Sequence, residues 1–355
     1  MLKTFDEVFD DYTKYGTKIK TEQYHTVGTN IIIDQGQADI AGYTDQIDGL
    51  FKDVPVIVFG DHTRIIKYIN RPFFLGADGT KILKSKIPDA NYKYLYYALK
   101  NAKIPNTGYN RHFKWLKQIS ISYPELQKQS MIVEILDKLE DSIDNYNTIL
   151  GLLDKLVKAR FIEMFGDPKD NQLCWKKYIF KDVCTVRQGL QISISKRLKL
   201  HEDNSYEYIT IQSLHGAKEK EYIKNPSSNV LCTKDDILMT RTGNTGMVIT
   251  DVEGVFHNNF FLIDFDRIKF NKIFLSEYLK LDYIQAEILR RAGTSTIPDL
   301  NHGEFYKIPI YEPPIELQQQ FADFVRHVDK SREAVKKSLE KTKQLYDSLM
   351  QEYFG

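Results

Sequence analysis

The chain has 355 residues, of which 27% are charged, and 49 basic against 48 acidic residues leave a formal net charge of +1. This length suits two domains. The near-neutral balance gives no bulk electrostatic signature of a nucleic-acid partner, which lowers that expectation without excluding it. An aromatic content of 12% indicates folded domains rather than disorder.

The cysteines and the N-terminus indicate the compartment. Cys174, Cys184 and Cys232 are odd in number and lack CxxC spacing, which argues for a reducing environment and against zinc. The N-terminal MLKTFDEVFDDYTKYG shows neither the basic nor the apolar region of a signal peptide. We therefore expect a cytoplasmic protein with no membrane partner.

In the first part of the chain, short apolar runs between turn residues predict strands. Turns are expected at Gly36, at Gly60-Asp61-His62 and at Gly76-Ala77-Asp78-Gly79. A short helix is predicted over Tyr92–Lys100, followed by a polar turn and a final strand that runs into Pro124. The predicted strands are Thr29–Ile33, Pro55–Phe59, Ile65–Tyr68 and Lys81–Leu83.

A long amphipathic segment follows, and it occurs again at the end of the chain. Its two copies begin with the words ELQKQSMIVEILDKL and ELQQQFADFVRHV and close on FG. A shift of 189 positions brings their 3-4 spaced positions into one register. These positions are Ile132, Leu136, Leu139, Ile143, Tyr146, Leu150, Leu153 and Val157 in the first copy, and Phe321, Val325, Val328, Arg332, Val335, Leu339, Thr342 and Tyr346 in the second.

We expect the two helices, each about 55–60 Å long, to pack as an antiparallel intramolecular coiled coil, because a whole globular segment separates them. Arg332 and Thr342 are either polar devices that fix the register of this seam or weak seam positions near solvent. The apolar residues Leu152, Leu156, Ile162 and Phe165 are either a docking surface for partners or ends of the seam, and we assign Leu156 to the seam.

The segment between the helices repeats the order of parts seen in the first. Phe180-Lys181-Asp182-Val183 echoes Phe5-Asp6-Glu7-Val8, and a helix is predicted over Leu275–Arg290. The loops after the first core strand differ, with FGDHTRIIKY in one half and MTRTGNTGMVI in the other. This contrast indicates one architecture with two targets, although drift after a duplication gives the same pattern. The predicted strands are Glu207–Ile211, Asp236–Arg241, Met247–Thr250 and Asn259–Phe265, broken at Gly243, Gly246 and Gly254.

The whole chain resembles the DNA specificity subunit of type I restriction-modification enzymes. The resemblance is carried by VIVFGDHTRIIKY and GADGTKIL in the first half, by DILMTRTGNTG, HNNFFLIDF and STIPDLN in the second, and by the joints PELQKQSMIVEILDKL, VKARFIEMFGDP and PPIELQQQFADFV. It implies an α/β (α+β) fold with a pseudo-two-fold repeat. Similar target-recognition domains are expected over 1–124 and 167–314, and long spacer helices over 125–166 and 315–355.

The resemblance also implies function. In the family, each domain reads one half of a bipartite, gapped site on double-stranded DNA. Two modification subunits bind S-adenosylmethionine and methylate adenine at N6, and a motor-nuclease restriction subunit joins for cleavage. We therefore expect no catalytic residue, metal or cofactor on this chain. Consistently, the sequence has no GxxxxGK[ST] phosphate loop and no N/D-P-P-Y/F methylation motif.

Base recognition in the major groove needs Arg or Lys for guanine and Asn or Gln for adenine. In the second domain, Arg241 is the expected guanine reader and Asn244 the adenine reader. The candidate DNA-binding residues of the first domain are Gln35, Gln37, Asp61, His62, Thr63, Arg64, Lys81, Asn106, Tyr109, Asn110 and Arg111. Those of the second are Gln188, Gln191, Gln212, Ser213, Arg241, Thr242, Asn244, Thr245, His257, Asn258, Ser295 and Thr296.

Structural roles compete for the same residues. Gly243, Asn244 and Gly246 also suit a hairpin turn, and Asp61 with His62 also suits a hydrogen-bonded pair at a strand end. Phosphate contacts, which position without specifying, are expected from Lys18, Lys20, Lys196, Arg197, Lys199 and Lys218.

Two other function classes remain open. An enzyme site around Asp61 and Asp78 is one, but no metal-ligand or nucleophile spacing supports it. A coiled-coil scaffold that binds proteins without DNA specificity is the other, and the near-neutral charge favours it. DNA binding weakens steeply as salt rises, whereas an apolar protein interface does not.

Overall fold

The structure is a computed structural model that describes residues 1–76, 78–108, 110–214, 216, 219–293 and 298–355. The chain forms two structural units, the first comprising Met1–Asn147 with Lys336–Gly355 and the second Thr148–Val335. Two long helices, α4 over Leu126–Phe165 and α10 over Ile315–Phe354, each contribute one part to each unit. They confirm the long amphipathic helices expected from the repeat.

The described residues of the first unit form three sheets. A four-stranded antiparallel sheet has the order β2-β8-β5-β6, a second sheet has the order β4-β3-β7 with β3 and β7 parallel, and β1 pairs with β9. The strands are β1 Leu2–Thr4, β2 Phe9–Asp11, β3 Asn30–Ile33, β4 Gly42–Thr44, β5 Val56–Gly60, β6 Ile66–Ile69, β7 Phe73–Leu75, β8 Thr80–Ser85 and β9 Ser120–Ser122. The short helices are α1 Phe5–Val8, α2 Tyr92–Lys100 and α3 Phe113–Leu116.

The second unit repeats this topology and has one further strand, β14, in its second sheet. Its four-stranded antiparallel sheet has the order β11-β18-β15-β16, its second sheet has the order β13-β12-β17-β14 with β12 and β17 parallel, and β10 pairs with β19. The strands are β10 Lys176–Ile179, β11 Cys184–Gln188, β12 Ser205–Ile209, β13 Tyr222–Lys224, β14 Leu231–Cys232, β15 Ile237–Thr240, β16 Val248–Thr250, β17 Gly254–Phe256, β18 Phe260–Phe265 and β19 Pro309–Glu312. The helices are α5 Phe180–Val183, α6 Ile211–Leu214, α7 Lys272–Lys280, α8 Asp282–Ala292 and α9 His302–Phe305. The internal repeat is therefore a repeat of fold.

The central strand of each four-stranded sheet separates two apolar layers. In β5, Ile57 and Phe59 face the layer that contains α2 and α3, whereas Val56 and Val58 face the second sheet. This alternation follows from the two-residue period of a strand. In β15, Ile237 and Met239 face the helices while Leu238 faces the other way. Both central strands are therefore covered on their two faces, and the loops that follow them begin from fixed positions.

One predicted helix is wrong in its extent. The expected helix Leu275–Arg290 is two helices, α7 and α8, because Leu281 is extended with φ −64° and ψ 143°. Leu281 is buried, and the side-chain amide of Gln285 donates to the carbonyl of Leu279 at 2.6 Å. Asp282 then begins α8, where an acidic residue suits the positive end of the helix dipole. The buried leucine, rather than a turn residue, terminates α7.

The beginnings of α4 and α10 are fixed by the same hydrogen bond. The buried side chain of Gln129 donates from Nε2 to the carbonyl of Pro124 at 2.8 Å, and that of Gln318 donates to Pro313 at 2.8 Å. These pairs are related by the same 189-residue shift as the seam. A buried amide that satisfies an orphan carbonyl at a helix joint stabilises that joint.

Within each unit, the segments of α4 and α10 pack on each other, and the expected seam positions lie on the protected side. In the first unit, Ile132 and Leu136 share a core with Met350. In the second, Phe161 and Phe165 contact Phe321 with ring-centroid distances of 5.3 and 5.4 Å. The start of one helix therefore meets the end of the other, as expected of antiparallel packing.

The four apolar residues that were assigned either to a docking surface or to the ends of the seam differ in burial. Phe165 is buried in the core of the second unit, so the docking interpretation is wrong for it. Leu156 is 47% exposed, so its assignment to the seam is wrong, because a seam position would be covered. Leu152 and Ile162 are also exposed.

Within the described ranges, no helix is long and apolar enough to cross a membrane.

Candidate nucleic-acid interface

In the first unit, loops meet where β5 ends and β8 begins. Gly60 is paired with Thr80 across these antiparallel strands, so the loop over 60–64 and the turn at Asp78 and Gly79 lie at the same end of the sheet. The loop that leads to α3 joins them there through His112. Many of the candidate residues of this unit therefore lie on neighbouring loops.

Asp61 ties these loops together. Its backbone N–H donates to the carbonyl of Gly79 at 2.7 Å, and its carbonyl accepts from the backbone N–H of His112 at 2.8 Å. Its Oδ1 accepts from the backbone N–H of Phe113, at the start of α3, at 2.7 Å. The residue is only 3% exposed. A buried residue whose carboxylate and backbone are both bonded to neighbouring loops connects those loops structurally.

Gln35 connects a further loop to the same place. Its Nε2 donates to the carbonyl of Asp78 at 2.9 Å, and its Oε1 accepts from the backbone N–H of His62 at 3.1 Å. The hydroxyl of Thr63 donates to the Gln35 carbonyl at 2.6 Å. Gly79 has φ +86°, and a Cβ there would lie 2.8 Å from the His62 ring. The amide of Gln35 is thus engaged in loop packing.

The cations of this unit are restrained as well. Arg64 adopts φ +63° and donates from Nη1 to the carbonyl of Ile104 at 3.3 Å. The ammonium of Lys81 lies 3.0 Å from an Asp11 carboxylate oxygen and 5.0 Å from the ring centre of Phe113. The exposed candidates are Gln37, Thr63, Asn106, Asn110 and Arg111, and Tyr109 lies outside the described residues.

In the second unit, the loop after β15 packs against the segment that leads to α9. The guanidinium of Arg241 lies 2.8 Å from Oδ2 of Asp299 and 5.6 Å from the ring centre of Phe261. Only 19% of the Arg241 side chain is exposed. The expected guanine reader is thus largely covered and paired with an acid of its own domain.

The remainder of this loop is a tight turn. Gly243 and Gly246 have φ +85° and +92°, a conformation that favours glycine. Thr245 is buried, and its hydroxyl donates to the carbonyl of Pro298 at 2.8 Å. Thr242 forms an antiparallel bridge with Asp299. Asn244 is exposed at the tip of the turn, so both the turn interpretation and the contact interpretation remain available to it.

A third group of candidates lies around the end of β11. The side-chain amide of Asn258 donates to Oε1 of Gln191 at 3.0 Å, which joins two loops. Burial, with Arg197 adding to the effect, holds the pKa of His257 below its usual range. Ser213 exchanges hydrogen bonds with Thr210 at the start of α6. Gln188 and Gln212 are exposed, and Ser295 and Thr296 lie outside the described residues.

The expected phosphate contacts are of two kinds. Lys20, Lys196 and Lys199 are exposed, and Lys18 pairs with Asp78. Arg197, by contrast, is 14% exposed in its side chain, lies 2.8 Å from Glu221 and packs over Tyr208 with 4.9 Å to the ring centre. Arg197 is therefore a structural residue of the second unit. Lys218 lies outside the described part of the chain.

Sequence reasoning gave no role to His112 or Asp299. His112 is buried and binds the Asp61 carbonyl through its backbone, with Nδ1 3.0 Å from the same oxygen. Asp299 pairs with Arg241. Their matching positions in the repeat could have identified both residues. His112 lies shortly before α3 and β9, and Asp299 lies shortly before α9 and β19.

The two buried cysteines of the second unit are not activated thiols. Burial raises the pKa of the Cys184 thiol to about 12 and that of Cys232 to about 11, so neither is a reactive thiolate. Across the described ranges, no group of three or more His, Cys, Asp or Glu residues is placed to hold a metal ion. The geometry defines a class of protein, a tandemly duplicated α+β protein whose copies present polar loops at equivalent ends of equivalent sheets.

The chain belongs to the family of the type I restriction modification DNA specificity domain, whose profile matches residues 2–154 and 173–344. It is 29% identical over 143 residues to the Type I restriction enzyme EcoR124I/EcoR124II specificity subunit of Escherichia coli. That match covers 37% of this chain and 35% of the relative, so it spans about a third of the relative's length.

Solved structures agree on the fold. The crystal structure of a type I restriction-modification S subunit from M. genitalium aligns over 100% of this chain and 96% of its own, with a TM-score of 0.65 and 19% identity. A chain from a structure concerned with complex assembly and conformational transition of the type I R-M system aligns over 100% of this chain and 97% of its own, with a TM-score of 0.53 and 13% identity.

Proposed function

We propose that this chain is the DNA sequence-specificity subunit of a type I restriction-modification system. Each unit reads one half of a bipartite, gapped site in double-stranded DNA. The observation that supports this most strongly is the duplication itself, because two copies of one topology carry unlike loops at the same end of the same sheet. Membership of the specificity-domain family points in the same direction.

The proposed division of labour leaves catalysis to partners. Two modification subunits hold S-adenosylmethionine and methylate adenine at N6, and motor-nuclease restriction subunits join for cleavage. This chain takes no cofactor and acts in the cytoplasm. The relative from Escherichia coli is a restriction-enzyme specificity subunit by name, and one similar structure concerns complex assembly of a type I system, which supports partners of this kind.

Within this function, exposed polar residues on the loops are the proposed source of DNA contacts. In the first unit they include Asn106, Asn110 and Arg111, and in the second Gln188, Gln212 and Asn244. Amide side chains suit adenine and arginine suits guanine. The exposed Lys20, Lys196 and Lys199 suit phosphate contacts, which set orientation rather than sequence.

The first test is adenine-methylation mapping by single-molecule sequencing in cells that express this chain with its modification subunits. The control is the same strain without the chain. We expect a gapped, two-part motif that disappears with the chain. An unchanged set of methylated motifs, with the modification subunits shown to be present and active, would exclude the proposed function.

A second test addresses the spacer between the half-sites, which we propose is set by α4 and α10. A seven-residue insertion after Asn147 and a matched one after Val335 lengthen both helices at the boundary of the units and preserve the heptad register. Each insertion adds about 10 Å of helix, or about three base pairs. We expect a longer unread spacer with both half-sites unchanged. A changed half-site with an unchanged spacer would contradict this proposal.

A protein-binding scaffold is the second candidate, and the exposed leucines of α4 favour it. Leu152 and Leu156 are 56% and 47% exposed on the part of this helix that lies in the second unit. Binding of purified chain, with its modification subunits, to a DNA duplex containing the mapped site separates the candidates. DNA recognition weakens steeply as salt is raised from about 50 to 200 mM, whereas a scaffold retains its protein partners and shows no preference for the site.

A further inference from the structure

The environment of Arg241 suggests a role other than base contact. Its backbone N–H donates to the carbonyl of Asn259 at 2.7 Å, and its carbonyl accepts from the backbone N–H of Leu300 at 2.8 Å. The residue thus lies between the start of β18 on one side and the segment leading to α9 on the other. Its backbone alone already joins three parts of the second unit.

The side chain strengthens the same connection. Nη2 of Arg241 donates to Oδ2 of Asp299 at 2.8 Å, and Nε is buried. The guanidinium packs over the ring of Phe261, and that ring lies 4.6 Å from the His302 ring between centroids. The hydroxyl of Thr245 binds the Pro298 carbonyl at 2.8 Å and the Arg241 carbonyl at 3.2 Å. The loop over 241–246 is therefore fastened to residues 298–300 at several points.

Asp61 occupies the equivalent position in the first unit. Asp61 follows the central strand β5 as Arg241 follows β15. Each donates its backbone N–H to the residue before the neighbouring strand, β8 or β18, and each carbonyl accepts from the segment before α3 or α9. The Asp61 side chain also points to that segment, where it binds the N–H of Phe113. The two units thus fasten the same two loops through side chains of opposite charge.

The covered guanidinium of Arg241 bears on two roles for this residue. A guanine reader must project its guanidinium into the major groove, but this guanidinium is covered and ion-paired. At the equivalent position of the first unit, Asp61 makes corresponding backbone bonds, and its side chain also binds the segment before the short helix. Asp61, 3% exposed, serves that connection in the first unit.

We infer that Arg241 and Asp299 form a latch that positions the recognition loops of the second unit, and that Asp61 with the start of α3 is the corresponding latch of the first unit. The inference rests on the proposed function. Arg241 affects base preference through the position of its loop rather than by touching a base. The exposed Asn244 lies on the same loop and is the proposed DNA-contacting residue there.

The experiment is methylation mapping and DNA binding with the assembled complex of this chain and its modification subunits. The variants are Arg241→Ala, Asp299→Ala, the double Ala variant and the exchange Arg241→Asp with Asp299→Arg. We expect each single variant to weaken the preference of one half-site by about tenfold, and the double variant to add little, because the two residues act as one pair. The exchange should restore part of the preference, because it returns the ion pair but not the packing of the guanidinium over Phe261.

The competing outcome is distinct. If Arg241 touches guanine, Arg241→Ala abolishes the preference at one base position, Asp299→Ala retains most of it, and the exchange restores nothing, which overturns the latch. Asp61→Ala is the matched variant in the other unit and should alter only the other half-site. An effect of Asp61→Ala on the half-site that Arg241→Ala alters would also contradict the inference.

Folding is controlled separately. Arg241→Lys and Asp299→Asn keep size and polarity, so they test the latch if an alanine variant unfolds. If the latch is correct, the two conservative variants weaken base preference at the same positions of the half-site. Changes at different positions in the two variants would refute the latch. The unaltered half-site reports that the complex is assembled. If the unmodified chain directs no gapped motif at all, the proposed function fails, and that result differs from any pattern among the variants.

Discussion

The two units attach their α/β parts to the long helices in chemically different ways. In the first unit a polar cluster adds to the apolar packing of α2 on α4 and α10, since Glu140 of α4 accepts from the Tyr97 hydroxyl at 2.9 Å, the Lys100 ammonium at 2.7 Å and the Tyr346 hydroxyl at 2.9 Å. In the second unit a cluster of aromatic rings lies at this contact. Phe161 of α4 lies 5.3 Å from the ring centres of both Phe274 and Phe321. One topology therefore tolerates two kinds of attachment.

Each kind of contact places its own requirement on the side chains that form it. Both versions join a helix that follows the core strands, α2 or α7, to α4 and α10. The polar version depends on direction, because each hydrogen bond needs its own geometry. Burial raises the pKa of Tyr97, with Asp137 and Glu140 adding to the effect, so its hydroxyl remains a donor at ordinary pH. The aromatic version depends on volume and packing instead.

The largest effect is expected from Phe161→Ala. The side chain is buried at the centre of the aromatic contact, so its removal leaves a cavity and should lower the free energy of unfolding by about 3–5 kcal/mol. Chemical denaturation of the full chain measures this. The adjacent Ile162→Ala, at a 40% exposed position, is the control and should change stability by about 0.5 kcal/mol. Equal losses would show that the aromatic contact does not dominate.

Glu140→Gln should have an intermediate effect on the polar contact. It removes the charge that receives three hydrogen bonds, which are worth about 1.5–3 kcal/mol when an ion takes part. Lys100 is 41% exposed, so solvent screening holds the loss toward the lower end. The control is Glu134→Gln, which removes an exposed helix pair with Lys138 and should leave stability almost unchanged. A loss that does not shrink as salt is raised would contradict an electrostatic origin.

The smallest effect on stability is expected from a decrease in pH, and it should arise in the second unit. Burial lowers the pKa of His257, with Arg197 adding to the effect, and burial lowers that of His302, with Arg241 adding. A histidine with a depressed pKa binds its proton more readily in the unfolded state, so stability is present above about pH 6.5 and is lost as pH falls below it.

Thermal unfolding between about pH 7.5 and 5.5 tests this. We expect a lower melting temperature at the acidic end, and we expect His257→Gln with His302→Gln to remove part of that decrease. The unaltered chain serves as the reference at each pH. A decrease of the same size in the double variant would assign the acid sensitivity to other groups.

Local pattern was sufficient for much of the fold. The long helices, the central strands β5 and β15 and the glycine turn at Gly243 and Gly246 agree with the structure, because periodicity and positive φ are encoded by neighbouring residues. The first strand of each unit was not predicted. β1 and β10 are short and exposed for much of their length, and they pair with strands more than 100 residues away, so no nearby residue reports them.

The candidate residues show a different limit. Gln35, Arg64 and Arg241 carry groups that suit DNA, and the same groups suit the loop contacts that they make. Composition does not distinguish these roles, since a donor serves a base edge and a backbone carbonyl equally well. Burial distinguishes them, and burial depends on segments far apart in the chain.

Residue spacing and short sequence motifs were enough to identify the duplication, the seam of the two long helices and the family. The equivalent positions of Asp61 and Arg241 became visible only in the folded structure. Their side chains differ in charge and their neighbours differ in sequence, and the equivalence lies in backbone hydrogen bonds to segments that lie about 20 to 60 residues away. Such bonds form only when the sheet has brought those segments together, which no local pattern records.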